Sequence, residues 1–167
     1  MNVNQLLLKE VETRIIECGI YRIISCIEKL EEEQIHFRPN DNSNSINNQI
    51  LHLDGNVRQW LISTMSATVD SRQRNNEFDS ENRNSKTDLI ARMHQLEKDI
   101  RNILVNIESI DLTKTQTVQC YVESNLSIIV HVIEHFSYHV GQITYITKML
   151  LDIDTGYYAG QELDKTS

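Results

Sequence analysis

Four stretches of the chain repeat apolar residues every three to four positions, the spacing of a helix that buries one face. The first runs from about Val3 to Glu33, with Leu7, Val11, Ile15, Ile20, Ile23 and Ile27 along one stripe. Pro39 stops any continuation, and the polar run from Asn40 to Ser45 supplies turn and N-cap chemistry. The second helix spans about Ser45 to Val69 and carries Ile46, Ile50, Leu53, Val57, Trp60 and Leu61. The third begins at Ser85, where Ser85-x-x-Asp88 has capping-box spacing, and continues to about Ile107. The fourth occupies about Ser124 to Leu151 and is the most apolar long segment. From Asp70 to Asn84 the chain is charged and lacks apolar periodicity, which predicts a long loop. Thr113 to Glu123, rich in Thr, Val and Tyr, predicts a short extended segment or hairpin.

Four helices this long, each with a stripe to bury, predict an all-α four-helix bundle. A helix of about 24 residues is roughly 36 Å long, and the Asp70–Asn84 loop could extend to roughly 50 Å. It can therefore cross the whole bundle and let helices two and three run parallel. The connection between helices three and four is similarly long, so loop length alone leaves the order open. Size predicts a single domain over residues 1–160, with 161–167 as a flexible tail.

Composition changes the picture little. One proline and five glycines in 167 residues favour helix, and the formal charge of −8 argues against nucleic acid or an anionic membrane as partner. The N-terminal stretch lacks signal-peptide features, and the apolar runs are interrupted before membrane-spanning length. Cys18, Cys26 and Cys120 have no CxxC spacing and suit a reducing compartment, so a cytoplasmic protein is expected.

The chemistry concentrates in helix four. His135-Phe-Ser-Tyr-His139 puts two imidazoles about one turn apart on one face, where both can reach a single metal ion. Stepping about 100° per residue places His139 on the apolar face, His135 at its edge and His131 further round. His135 and His139 are thus the better ligand pair and His131 a neighbour of the site; equally, an isolated HxxxH can be a pair of hydrogen-bonded histidines at the bundle edge. His52 on helix two shares a polar stripe with Asn48, Asn56, Gln59 and Ser63, which either faces solvent or lines a wet cavity. Periodicity leaves both open. Several sharper assignments fail: Glu134 points to the polar face and is no zincin base, Glu33-Gln34-Ile35-His36 is the only Glu-x-x-His pair where a di-iron bundle needs two, and the cysteines cannot form a zinc ribbon.

Leu51-His52-Leu53-x-Gly55-Asn56-x-Arg58-Gln59-Trp60, the long charged loop, and His131-Val-Ile-Glu-His135-Phe-Ser-Tyr-His139-x-Gly141-Gln142-Ile143 together resemble the DinB/YfiT-like superfamily, more narrowly an uncharacterised bacterial branch of it. The resemblance covers nearly the whole chain, ending in Ile146-Thr-Lys-Met-Leu150 and Gly156-Tyr-Tyr158. It departs at Val140, where many relatives carry arginine, so no anion-binding role is carried over to that position. The resemblance implies an up-down-down-up bundle with a crossover loop between helices two and three, and a homodimer. It also implies zinc or nickel held by His52, His135 and His139, an open three-histidine site of the catalytic type. Asn56, His131, Tyr138 and Gln142 become candidates for a supporting shell.

Two functions follow from that resemblance. One is a divalent-metal-dependent enzyme acting on a small molecule, either a thiol-dependent S-transferase using a low-molecular-weight thiol or a hydrolase. The other is a non-catalytic, dimeric helical module whose histidines are structural or merely bind metal.

Overall fold

The computed structural model describes residues 1–107 and 109–165, and the chain is mostly helical. Helix α1 covers residues 3–29 as one rod: an α segment Val3–Val11, a π segment Glu12–Ile20 and an α segment Tyr21–Lys29. A single turn, α2 (Glu32–Ile35), follows. Helix α3 covers residues 46–66 and again contains a π segment, Arg58–Ser63. Helix α4 is Lys86–Asn106, the hairpin is β1 (Thr115–Val118) with β2 (Tyr121–Ser124), and α5 is Asn125–Leu151. None of the described helices is long and apolar enough to cross a membrane. Of the expected C-terminal tail, residues 166 and 167 lie outside the described residues.

The helix starts are written in side-chain chemistry. Asn2, Ser45 and Ser85 each close a capping box with the residue three positions on, and Ser124 caps α5 by accepting from the Ser127 amide. Two boundaries differ from the periodicity. The first helix stops at Lys29 rather than near Glu33, because the buried Leu30 turns extended (φ −88°, ψ 150°) and Glu31 opens a new capping box with Gln34. The second ends at Ser66, three residues early, where Ala67 adopts the left-handed conformation at φ 54°.

Hydrogen bonds between elements fix the directions. Asn84 donates through its backbone amide to Asn47 Oδ1 at 3.1 Å, so α3 and α4 begin side by side and run parallel. Lys86 at the start of α4 binds Glu32 just past α1, and Asn4 at the start of α1 donates to the Ile110 carbonyl beyond α4. Those helices are antiparallel. Cys26 near the end of α1 and Thr144 on α5 both meet the Tyr157 hydroxyl, at 3.1 and 3.0 Å, so α1 and α5 run the same way. α5 packs on both α1 and α3, and α4 packs on the same two from the other side. The aliphatic stripes of all four converge in one core, with Ile15, Ile20, Leu53, Leu61, Met93 and Ile143 fully buried.

The parallel pair requires a long return connection, and residues 67–85 provide it as a strap down the outside of α3. Asn48 Nδ2 donates to the carbonyls of Glu77 (3.0 Å) and Asp79 (3.3 Å), and Asn47 Nδ2 donates to that of Asn82 (2.7 Å). The charged loop is therefore an ordered wall of the fold, with a 3₁₀ turn at Arg74–Glu77.

Gly19 marks the tightest helix contact: a Cβ there would lie 2.6 Å from Cε1 of Phe136, itself 1% exposed. Gly19→Ala should lower unfolding free energy by roughly 1–2 kcal/mol, overpacking outweighing the helix-propensity gain of about 1 kcal/mol. Urea denaturation of the two proteins measures the difference, and an unchanged or raised stability would refute the contact.

Candidate metal centre

Because α3 and α5 run antiparallel, His135 and His139, one turn apart on α5, both face the turn of α3 that carries His52. One ligand-capable nitrogen from each of the three lies within 4.8 Å of the other two. His52 Nε2 is 2.9 Å from His135 Nε2, and the three ring centroids are 4.7–5.1 Å apart. Two ligands of one tetrahedral ion stand roughly 3.4 Å apart, a spacing small imidazole rotations reach from here. These three could hold a metal ion, with coordination left open for a small molecule.

The environment keeps the ligands in the form a metal needs. Burial pushes the His135 imidazole down to about 3, with further lowering from His139 and His52. Burial likewise takes His139 down to about 4, opposed by a hydrogen bond with Gln142. Both are neutral near pH 7, with lone pairs available. His139 Nδ1 also sits 3.4 Å from Gln49 Oε1.

His52 is oriented by the strap. Its Nδ1 donates to Glu77 Oε2 at 2.9 Å, which leaves Nε2 turned toward His135. Burial alone would raise the Glu77 carboxyl, but hydrogen bonds from Arg72 and His52 outweigh it and hold the group below its usual range. Arg72 grips both carboxylate oxygens, Nε to Oε1 at 2.6 Å and Nη2 to Oε2 at 2.8 Å, and its Nη1 donates to Gln59 Oε1 at 2.9 Å. Its side chain is only 3% exposed. A carboxylate that fixes a histidine tautomer is the usual support for a metal-ligating imidazole.

Sequence reasoning missed Glu77 and Arg72, which sit in the stretch read as a long charged loop. One signal was available. Gly55 lies inside α3, where glycine costs about 1 kcal/mol relative to alanine. A Cβ at that position would overlap the Glu77 carboxylate and lie 3.0 Å from Arg72 Nε.

The other candidates occupy different places around the trio. His131 is outside it, stacked on Trp60 with centroids 4.0 Å apart and planes at 32°. Its pKa is lowered by burial, against opposition from Glu134 and Glu123. Asn56, one turn after His52, is 5% exposed and makes no hydrogen bond among the described residues. Tyr138 is largely exposed and meets the His139 ring edge-on at 5.1 Å. Glu134 is on the exposed side of α5, as its helical position predicts.

Beside His52 and His135 opens a cavity of about 620 Å³, bounded by α3, α5, the strap and the hairpin. Asn56, Trp60 and His131 form its inner wall, Arg74, Tyr121 and Glu123 its outer one. Residues 3–157 match the model of a family described as "Protein of unknown function (DUF1572)". The chain belongs to this family. The DUF1572 match spans all four long helices, the strap and the hairpin, and so includes the three histidines and Glu77. No curated protein matches the chain.

Two outcomes test the site. Glu77→Ala would strand a buried guanidinium and free the His52 ring. It should cost about 3–5 kcal/mol in urea unfolding and about 10–100-fold in metal affinity by chelator competition, with Glu77→Gln milder in both. An unaltered metal affinity in either variant would remove Glu77 from the site. Separately, His135 and His139 have folded pKa values below the ordinary 6.5, so at pH 7 neither state binds the proton. As pH falls below about 6.5 the unfolded chain takes up protons that the folded protein refuses until pH 4 to 3. Chelator-treated protein should therefore lose melting temperature steadily from pH 6.5 to 4; a flat profile across that window would contradict the burial of the pair.

Proposed function

We propose that this chain is a cytoplasmic, divalent-metal-dependent enzyme on a single-domain four-helix bundle of the DinB/YfiT type, in up-down-down-up order. His52, His135 and His139 are its metal ligands, and zinc or nickel is the metal. The observation that carries the reading is the convergence of three ligand-capable nitrogens within 4.8 Å at the edge of a roughly drug-sized cavity. A purely structural zinc site would be closed by a fourth protein ligand, and among the described residues no other His, Cys, Asp or Glu joins the group.

When bound, the metal would supply Lewis acidity and lower the pKa of a coordinated water or thiol. The chain's own contribution is preorganisation. Burial keeps His135 and His139 unprotonated, Glu77 holds the Nδ1 proton of His52, and Arg72 keeps Glu77 ionised. This arrangement suits either S-transfer with a low-molecular-weight thiol or hydrolysis of a small-molecule substrate.

A second reading, a non-catalytic dimeric module, draws on the outer face of α5. Leu126, Val130, Tyr138, Tyr145 and Met149 fall at intervals of one or two helical turns and are all exposed, a discontinuous stripe a second copy could cover. The enzyme reading accommodates the same dimer, so dimerisation does not separate the two.

Metal analysis tests the ligand assignment, and a thiol titration tests the chemistry. Protein purified without a histidine tag should contain close to one equivalent of metal per chain, and His135→Ala should contain less than a tenth of that while keeping its helical circular dichroism. Full metal retention in His135→Ala would sink the ligand assignment. Cobalt-substituted protein titrated with small thiols should then show a thiolate charge-transfer band if S-transfer is the reaction.

A further inference from the structure

The metal-site reading says nothing about which molecules the cavity admits, but its walls do. Asn56 is the decisive residue. It is only 5% exposed, lines the cavity and makes no hydrogen bond among the described residues. Buried amides are normally satisfied, so one left open toward a cavity is a place for a ligand that both donates and accepts. Beside it stands an aromatic wall: Trp60 stacks on His131 at 4.0 Å and meets Tyr121 of the hairpin at 6.0 Å. Trp60 Nε1 and His131 Nε2, both fully buried and without partners among the described residues, belong to this stack.

Charge sets a second limit. Arg72 and Arg74 reach the cavity, but so do Glu123 and Glu134. Arg72 is already neutralised by Glu77, and Arg74 lies over the Phe78 ring at 4.9 Å. Glu123 accepts from Ser127 Oγ at 2.6 Å. Arg74, Glu123 and Glu134 have no ion-pair partner among the described residues, so the wall presents both signs rather than a single-sign patch for an anion or a cation.

We propose that this cavity binds a planar aromatic molecule carrying a carboxamide-like edge, its ring against Trp60 and Tyr121 and its amide paired with Asn56. This places the aromatic part of the substrate beside the reacting centre. It rests on the metal-site reading only for the direction of the reacting group, toward His52 and His135; the binding itself does not need a metal.

Trp60 is the single tryptophan of the chain, so its fluorescence reports the cavity directly. Chelator-treated protein is titrated with benzamide, with benzoate (acceptors only) and benzamidinium (donors only) as controls for the amide edge and cyclohexanecarboxamide as the control for the ring. Benzamide should give a saturable change, each control should bind at least tenfold more weakly, and Asn56→Leu should weaken benzamide at least tenfold. Should Asn56→Leu fail to fold, Tyr121→Ala, at a half-exposed hairpin position, should weaken it at least threefold. No saturable response, a control within tenfold of benzamide, or variants that bind as the parent does would overturn the proposal. Repeating the titration on His135→Ala keeps the two readings apart: benzamide binding with metal retained defeats the ligand assignment alone, and metal loss without benzamide binding defeats the cavity alone.

Discussion

The buried pairing of Glu77 with Arg72 is the interaction around which the site is arranged. Two charges removed from water need excellent geometry to remain, and here both carboxylate oxygens and two guanidinium nitrogens are engaged. The pair pins the strap to α3, sets the tautomer of His52 and requires a glycine at position 55. None of these features stands without the others. An ion pair of this kind is weak as a source of stability, yet it fixes orientation well, because breaking either partner leaves an uncompensated buried charge.

The helices of this fold were legible because their causes are local. Ser45, Ser85 and Ser124 cap where polar residues precede apolar stripes, and the His135–His139 relation follows from helical spacing alone. The hairpin was legible from its Thr, Val and Tyr. What escaped has non-local causes. The break at Leu30 interrupts a stripe that is apolar throughout, and the π segments leave no mark on apolar spacing. His52 could not be placed by periodicity, since a polar stripe on a helix reads the same whether it faces solvent or a cavity; only likeness to a known family selected it. Glu77 and Arg72 were hidden by their own charge, in a segment whose composition reads as solvated until Asn47 and Asn48 are seen tying it down.

Membership of the DUF1572 family extends over the whole of this machinery, from α1 to Tyr157. The match supplies kinship without chemistry, so the chemical reading rests on the geometry of the three histidines and the cavity beside them. Within that geometry the labour is divided. One side of the trio is supported by Glu77 through His52, the other by Gln49 and Gln142 around His139, while His135 between them borders the open space.

The π segment of α3 bears on that open space in a further way. His52, Asn56 and Trp60 are spaced by four, and in an ideal α-helix such a row winds slowly around the axis. Over Arg58–Ser63 the helix turns through a smaller angle per residue. The under-winding reduces the drift between Asn56 and Trp60, and all three residues line the same cavity. A wall of three different chemistries along one cavity thus depends in part on backbone pitch, since an ordinary α-helical turn at Arg58–Ser63 would swing the indole further round from the amide.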